Sequence, residues 1–395
     1  MEKEILECVL KRNCKDLTPE KVVSLEIVPA VEKYVNFLSS VNRYNLKVVL
    51  GNGRTVKKSL FVKTASTDAF IDAFNNRLGT FKNETMMYTT LKEMEYLMEE
   101  FQDYDDILWC RMIYHIPYTC IVMEDLKAKG FRMVGKTDLF DFEQGMLGVH
   151  ALGRYHGMCK ALEERGHLSL QGLRPWFIFD KDTHHHMYWS IVSLVEGIKK
   201  LWDPKWIPVV EKIKLTTESL TQRLEKLNVI DETKFNVLNH GDVNKNNIVF
   251  KFNYDERPVA VRFVDFQMLN YGSPCIDLMY YIYLALQPSI RHENFQLFVR
   301  TYYNALINTL DKYQYKGNKP NIEEIIEDME KYSFVGLYLF LTRYPTLYMS
   351  EDHKMDAEKI KATDGREGFP DQMFKPENLE DAIGTDLKTF VELFF

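Results

Sequence analysis

The sequence of 395 residues lacks the glycine-rich loop G-x-G-x-x-G with which many nucleotide-binding proteins hold phosphates. Its six cysteines are scattered without a C-x-x-C pair, and no H-E-x-x-H motif occurs, so the sequence does not predict a common zinc site. The amino terminus lacks the basic start and long apolar core of a signal peptide. These absences favour a cytoplasmic protein with reduced cysteines.

Charge and hydrophobicity exclude further classes of partner. The net charge of −7 comes without a long basic run, which argues against nucleic acid as a partner. No apolar stretch approaches the ~20 residues of a membrane span, so we expect no stable membrane insertion. The sequence shows no sign of an obligate protein partner either. We therefore expect a small-molecule partner.

An ordered set of carboxylate and amide residues carries the strongest functional signal. His240-Gly241-Asp242 is followed by Asn247, and then by Val264-Asp265-Phe266-Gln267. Phosphoryl transfer needs a base beside the attacking hydroxyl and oxygen ligands for magnesium, and the protein-kinase catalytic loop also places Asn five residues after its Asp. The pattern predicts an ATP-dependent phosphotransferase that uses Mg²⁺, with Mn²⁺ as a substitute.

The residues between Asn247 and Asp265 indicate how the set comes together. Residues 247–250 and 259–264 are β-branched or aromatic runs, and turn-rich residues separate them. A hairpin here would bring Asp242, Asn247 and Asp265 to one place. Because Gly, Asp and Asn are also ordinary turn residues, turn chemistry is the alternative interpretation.

Two earlier residues fit the lysine and glutamate of a kinase. Lys63 lies in the strand pattern 59–64, and Glu84 precedes an apolar helical stripe that starts at Met87. Glu84 points toward the same buried face, where an unpaired carboxylate would be costly, and Lys63 is its natural partner. Taken alone, Glu84 is also typical of a first-turn acid and Lys63 of an edge-strand charge.

The phosphate loop and the hinge have weaker signals. Residues 34–40 offer backbone N–H groups, together with Asn36 and Ser39, for phosphates. A strand over 118–123 runs into Glu124 and Leu126, whose backbone groups would bind the purine edge. An ordinary strand leaving a sheet explains this hinge pattern equally well when it is taken alone.

These motifs together resemble the ecdysteroid kinase-like family of the choline kinase and aminoglycoside phosphotransferase clan. The resemblance covers most of the chain and rests on residues 34–43, 81–88, 123–126, 152–156, 237–247, 264–267 and 273–278. Two positions depart from the family pattern: Tyr34 stands where glycine is common, and Asn244 stands where tryptophan is frequent.

The resemblance implies a role for each matching site residue. Asp242 would be the catalytic base, and Asn247 and Asp265 would hold the metal. Lys63 would grip the phosphates of ATP, and Glu84 would orient this lysine.

Structural roles and a substrate class are implied as well. His240 would pack behind the metal-binding segment, and Asp277 would brace the catalytic loop, although Asp277 also fits an N-cap. The acceptor would be an ecdysteroid or another hydroxylated small molecule, including plant toxins that are phosphorylated for detoxification. A choline-like amino alcohol is an alternative acceptor that would need an aromatic cage with acids. A catalytically weak, kinase-shaped binding protein is the alternative to an enzyme, motivated by Tyr34.

The distribution of strand and helix signals predicts an α+β protein with a two-lobed protein kinase-like fold. A helix-start signal at Thr18-Pro19-Glu20 predicts a helical extension at the N-terminus. The predicted division is a helical extension over 1–27, a β-rich N-lobe over 28–123, a hinge over 124–130 and a mainly helical C-lobe over 131–395.

The helical half contains two further features. The run His184-His185-His186 resembles a metal-binding tract, but closed zinc sites need defined spacing, so a solvated loop before a helix over 187–201 is favoured. Aromatic residues such as Trp176 and Tyr338 permit a lipophilic acceptor, although core packing explains each of them alone.

Overall fold

The structure is a computed structural model that describes residues 3–13, 19–30, 39–66, 75–77, 79–135, 138–170, 173, 176, 181–348 and 355–395. Its first part contains an antiparallel sheet, and its second part is mostly helical. The predicted α+β class with a two-lobed, kinase-like fold is confirmed, whereas the boundaries of the lobes stay a prediction.

The sheet of the first part has five strands: β1 Pro19–Pro29, β2 Ser39–Leu50, β3 Thr55–Ala65, β4 Met112–Ile116 and β5 Cys120–Glu124. Their order is β1-β2-β3-β5-β4, and all neighbours are antiparallel. From Tyr44 to Leu50 of β2, every second side chain is buried, as one packed sheet face requires. Because β3 lies between β2 and β5, it is an inner strand, which excludes the edge-strand interpretation of Lys63.

The helix predicted to start at Thr18-Pro19-Glu20 is wrong. Helix α1 spans Lys3–Asn13, whereas Pro19–Pro29 forms β1. β-Branched residues such as Val22 and Ile27 favour a strand, and pairing along β2 outweighs the local start signal. Proline at the first residue of a strand is tolerated.

Most helices follow the sheet in the chain. Helix α2 Thr80–Glu100 lies between β3 and β4 and buries Met87, Leu91 and Met94, in agreement with the predicted stripe. The other helices are α3 Phe142–Glu164, α4 Lys181–Leu201, α5 Ile207–Val210, α6 Thr217–Asn228, α7 Cys275–Ala285, α8 Pro288–Lys312, α9 Ile322–Lys331, α10 Ser333–Thr342, α11 Ala357–Ala362 and α12 Pro376–Phe394. Among the described residues, no helix is both long enough and apolar enough to cross a bilayer.

Short strands interrupt the helical part: β6 Phe131–Arg132, β7 Val237–Asn239, β8 Ile248–Phe252, β9 Pro258–Phe263 and β10 Asn270–Gly272. The predicted hairpin is confirmed, because β8 and β9 pair antiparallel. Asn247 immediately precedes β8, and Asp265 follows β9 by two residues. The hairpin therefore returns the chain to the place where it started, and the Asn247 carbonyl accepts a hydrogen bond from the Val264 N–H.

The histidine run lies inside α4, so the predicted loop before residue 187 is wrong. Because no glycine or proline interrupts residues 181–187, the helix extends through the run. His184 Nδ1 lies 3.1 Å from Thr221 Oγ1 on α6, and the His186 ring contacts the Trp189 ring edge-on. Within the described ranges, no three His, Cys, Asp or Glu side chains are grouped as a metal site.

Candidate active site

A cleft of about 400 Å³ lies between the sheet and the helical part. Apolar side chains from both parts line it, including Val41, Met123, Leu126, Val249 and Val264. Charged and polar residues also face the cleft, among them Lys63, Glu84, Asn247 and Asp265. Apolar walls suit a flat aromatic base, and a few placed polar groups suit its attached phosphates.

Lys63 is the buried cation of this cleft. Its Nζ lies 2.7 Å from Glu84 Oε2 as an ion pair and donates to Asp265 Oδ1 at 2.6 Å. Burial acts to lower the pKa of Lys63, but the charges of Asp265 and Glu84 outweigh it and raise the pKa above its usual range. Lys63 therefore stays protonated and joins β3, α2 and the segment after β9.

Glu84 is buried in the second turn of α2, so it is not the first-turn acid of the alternative interpretation. Burial raises the pKa of Glu84, and the charge of Lys63 opposes this shift. The partner of Glu84 is thus the residue predicted for it.

Asp242 lies in a loop that we call the Asp242 loop, residues 240–247. Asn244 Nδ2 donates to Asp242 Oδ1 at 2.9 Å, and Asn247 Nδ2 donates to Asp242 Oδ2 at 2.9 Å. Arg343 Nη2 also lies 3.1 Å from Oδ1. Since each carboxylate oxygen offers two lone pairs, these contacts occupy Oδ1 and leave acceptor capacity on Oδ2.

Asn247 connects Asp242 to the cleft. Its amide nitrogen donates to Asp242, so its Oδ1 is the atom that can face a cation. Asp265, in the left-handed conformation with a φ of 69°, lines the same cleft. Amide and carboxylate oxygens are the ligands that Mg²⁺ prefers, with phosphate oxygens completing the shell. The donor set therefore fits a nucleotide-bound magnesium ion.

His240 ties the two acid-bearing segments together. Its Nδ1 accepts from the Asp242 N–H at 3.4 Å, and its Nε2 donates to the Val264 carbonyl at 3.0 Å. The ring also packs on Phe266 with a centroid distance of 4.7 Å. One buried imidazole thus contacts the backbone of Asp242 and of Val264, the residue before Asp265, and so positions both acid-bearing segments.

Gly241 makes this loop possible. Its φ is 81°, and a Cβ built on it would lie 1.9 Å from the Met268 carbonyl oxygen. Only glycine fits both the left-handed conformation and the close approach.

Asp277 holds the backbone of the Asp242 loop through hydrogen bonds to its carboxylate. It lies in the first turn of α7 and makes no side-chain cap, because the N-cap position is Pro274. Its carboxylate accepts from the His240 N–H at 2.7 Å and from the Gly241 N–H at 2.9 Å. His156 Nε2 lies 3.2 Å from the same carboxylate, and all of these groups are buried.

We expect Asp277→Ala to lower the free energy of unfolding by about 3 kcal/mol, because it leaves buried N–H donors without an acceptor. Denaturant unfolding measures this change. Glu323→Ala, at an exposed first-turn acid of α9, is the matched control and should stay within about 0.5 kcal/mol of the parent. Equal stability of the two variants would contradict the bracing role.

The predicted hinge residues Glu124 and Leu126 line the cleft, but both carbonyls and the Glu124 carboxylate already have partners. Glu124 accepts from the Arg111 N–H at 3.1 Å and its carbonyl from Cys110 Sγ at 3.2 Å. The Leu126 carbonyl accepts from the N–H groups of Lys129 and Phe131. Their predicted contact with a purine stays a prediction.

The predicted phosphate loop falls largely outside the described residues, which include neither Tyr34 nor Asn36. Ser39 is described as the first residue of β2. Its hydroxyl is buried and has no hydrogen-bond partner among the described residues. A buried hydroxyl without a partner is costly, and a bound anion would satisfy it.

A second phosphate-loop pattern, G-x-x-x-x-G-K-[ST], occurs at residues 130–137. This pattern binds phosphate when it joins a strand directly to a helix. Here Gly130 follows a short 3-10 turn, Phe131–Arg132 is β6, and the next helix begins only at Phe142. The context is therefore wrong for the described part of this segment, although Lys136 and Thr137 lie outside it.

Arg343 and His156 are the site residues that sequence reasoning missed as contacts of Asp242 and Asp277. Arg343 is 101 residues from Asp242, and His156 is 121 residues from Asp277. The only available signal was His156 within the family-like segment 152–156. Nothing in the local sequence marks Arg343.

Fold and site together define a phosphotransferase of the kinase type that transfers phosphate from ATP to a hydroxyl group. The family model for the ecdysteroid kinase-like family matches residues 33–315. The chain belongs to this family, and the predicted resemblance is confirmed.

Further comparisons give distant likenesses only. No curated protein matches the chain. Among solved structures, a GDP complex of an aminoglycoside 2'-phosphotransferase-IIIa mutant has 12% identity and a TM-score of 0.42, covering 99% of this chain and 98% of that chain. An ethanolamine kinase of Plasmodium vivax has 11% identity and a TM-score of 0.41, covering 87% of this chain and 80% of that chain. At this distance, neither structure indicates the substrate.

Proposed function

We propose that the protein is an ATP-dependent O-kinase that transfers the γ-phosphoryl group to a hydroxyl of a lipophilic small molecule, an ecdysteroid or a hydroxylated xenobiotic. The observation that carries the proposal is the position of Asn247. Its amide donates to Asp242 Oδ2 while the residue lines the cleft that holds Lys63 and Asp265. The proposed base therefore has a direct hydrogen bond to a residue of the proposed phosphate site.

The proposed roles follow from the contacts. Asp242 takes the proton of the acceptor hydroxyl on Oδ2, the oxygen with remaining acceptor capacity. Lys63, held by Glu84, neutralises phosphate charge, and Asn247 with Asp265 would hold magnesium. Bound magnesium would offset the negative charge of the phosphates during transfer.

The surroundings of Asp242 support a lipophilic acceptor. Tyr280 is close enough for the charge of Asp242 to act on it, and burial is the main cause that raises its pKa to about 12. The Tyr338 ring packs edge-on against Trp176. These aromatic rings are buried and make the surroundings of Asp242 apolar, which favours an apolar acceptor. The proposed compartment is the cytosol, where the described cysteines, which are all free, stay reduced.

The proposal predicts ADP release that depends on both the acceptor and the metal. Purified protein with ATP should release ADP faster with at least one hydroxylated steroid or hydroxylated plant toxin than with water alone. Removing Mg²⁺ with EDTA should abolish this increase, and Mg²⁺ or Mn²⁺ should restore it. Absence of turnover with every acceptor, together with metal-dependent nucleotide binding, would favour a kinase-shaped binding protein instead.

A further inference from the structure

Arg343 brings a positive charge to the proposed base. It follows α10, whose residues from Phe334 to Thr342 are all buried. The backbone N–H of Arg343 donates to the Leu339 carbonyl at 2.8 Å. The guanidinium therefore stands on a fixed helix end. Its Nη2 lies 3.1 Å from Asp242 Oδ1, and the Arg343 side chain keeps 45% of its surface exposed while that of Asp242 keeps 9%.

The groups around this guanidinium are mostly uncharged. Asp242 is the largest cause that raises the pKa of Arg343, and the hydroxyls of Tyr280 and Tyr338 contribute further. The groups that act most strongly on this guanidinium are thus one carboxylate, which is already paired with Arg343, and two phenols. Arg343 has five N–H donors, so it retains donors that can bind an acceptor.

We propose that Arg343 is a specificity-determining residue, which selects acceptors that carry an uncharged or anionic oxygen group beside the reacting hydroxyl and rejects amino alcohols. The inference rests on the proposed function, because it concerns the acceptor side of the same site. It also decides between the two acceptor classes that the sequence left open.

The physical argument concerns distance and charge. A hydroxyl bound at Asp242 Oδ2 places its neighbouring substituent within ~6 Å of the guanidinium, where a like charge on a half-exposed partner costs roughly tenfold in affinity. A carboxylate or hydroxyl at that place accepts an N–H of Arg343 instead. A quaternary ammonium group binds to accessible ring faces, whereas Tyr280, Tyr338 and Trp176 are buried. The Asp242 carboxylate already has a cationic partner in Arg343.

Three small alcohols of similar size test this charge rule. They are choline, its uncharged carbon isostere 3,3-dimethylbutan-1-ol (dimethylbutanol below), and hydroxypivalate, which carries a carboxylate. ADP release with Mg-ATP is measured for the full chain and for Arg343→Glu, Arg343→Met and Arg343→Lys. Arg300→Glu, at an exposed arginine of α8, is the matched charge control.

For the parent, Arg343→Lys and Arg300→Glu, we expect kcat/KM for hydroxypivalate and dimethylbutanol to exceed that for choline by about tenfold or more. Arg343→Met should bring the values for choline and dimethylbutanol together, and Arg343→Glu should favour choline. The proposal is overturned if the parent uses choline as well as the isostere, or if Arg343→Glu and Arg343→Met leave the ranking unchanged.

A second readout keeps this test separate from the proposed function. If no acceptor of any kind is phosphorylated, the proposed function fails, and the charge rule is then judged from thermal unfolding with ATP and each alcohol present. Hydroxypivalate should raise the Tm of the parent, and choline should raise that of Arg343→Glu. Equal shifts by all three alcohols in both proteins would overturn the charge rule on its own.

Discussion

Replacing Asp242 by asparagine is expected to reduce phosphoryl transfer by about 10³-fold, because an amide cannot take the proton of the acceptor hydroxyl. Nucleotide affinity should change little, since Asp242 is not among the residues that line the nucleotide cleft. Initial rates of acceptor-dependent ADP release measure the first effect. Titration with a fluorescent ATP analogue measures the second.

The surroundings of Asp242 make a folding control essential for this variant. The new amide would turn its NH₂ group toward donors on Asn244, Asn247 or Arg343, at a cost of about 1 to 3 kcal/mol in stability. Asp255→Asn, in the exposed turn of the hairpin, is the matched control and should keep full activity. If Asp242→Asn folds like the parent and retains turnover, Asp242 is not the base.

The parts of the site that are near one another in the sequence were predictable. The spacing from Asp242 to Asn247 is short, and the hairpin after it follows from strand and turn preferences alone. The partnership of Lys63 with Glu84 was predictable for another reason: a buried carboxylate on an apolar helix face needs a cation, and a strand before the helix offered one.

The contacts that depend on distant packing were not predictable. Arg343 is one exposed arginine at a helix end, and only the packing of buried α10 brings it to Asp242. The strand β1 escaped prediction because the Thr18-Pro19-Glu20 signal is local, whereas its pairing with β2 is not. The extension of α4 through the histidines is different, because no glycine or proline interrupts residues 181–187 and the local sequence already permits the helix.

Replacing Lys63 by methionine is expected to damage stability and activity together. Glu84 and Asp265 would lose the cation that lies 2.7 Å and 2.6 Å from them. Breaking a buried ion pair by removing one partner costs about 3 to 5 kcal/mol. Turnover should fall at least about 100-fold, because the substitution removes the buried cation that is proposed to neutralise phosphate charge in the cleft.

The double variant Lys63→Met with Glu84→Gln separates the two effects. It removes the uncompensated carboxylate, so it should regain part of the lost stability without regaining turnover. In Lys63→Met alone, burial raises the pKa of Glu84 without the opposing charge. The folded state then binds a proton that the unfolded state releases, so stability should fall as pH rises through that raised pKa. If the stability of Lys63→Met does not depend on pH, Lys63 does not balance the charge of Glu84. If the double variant recovers activity, Lys63 does not serve the phosphates.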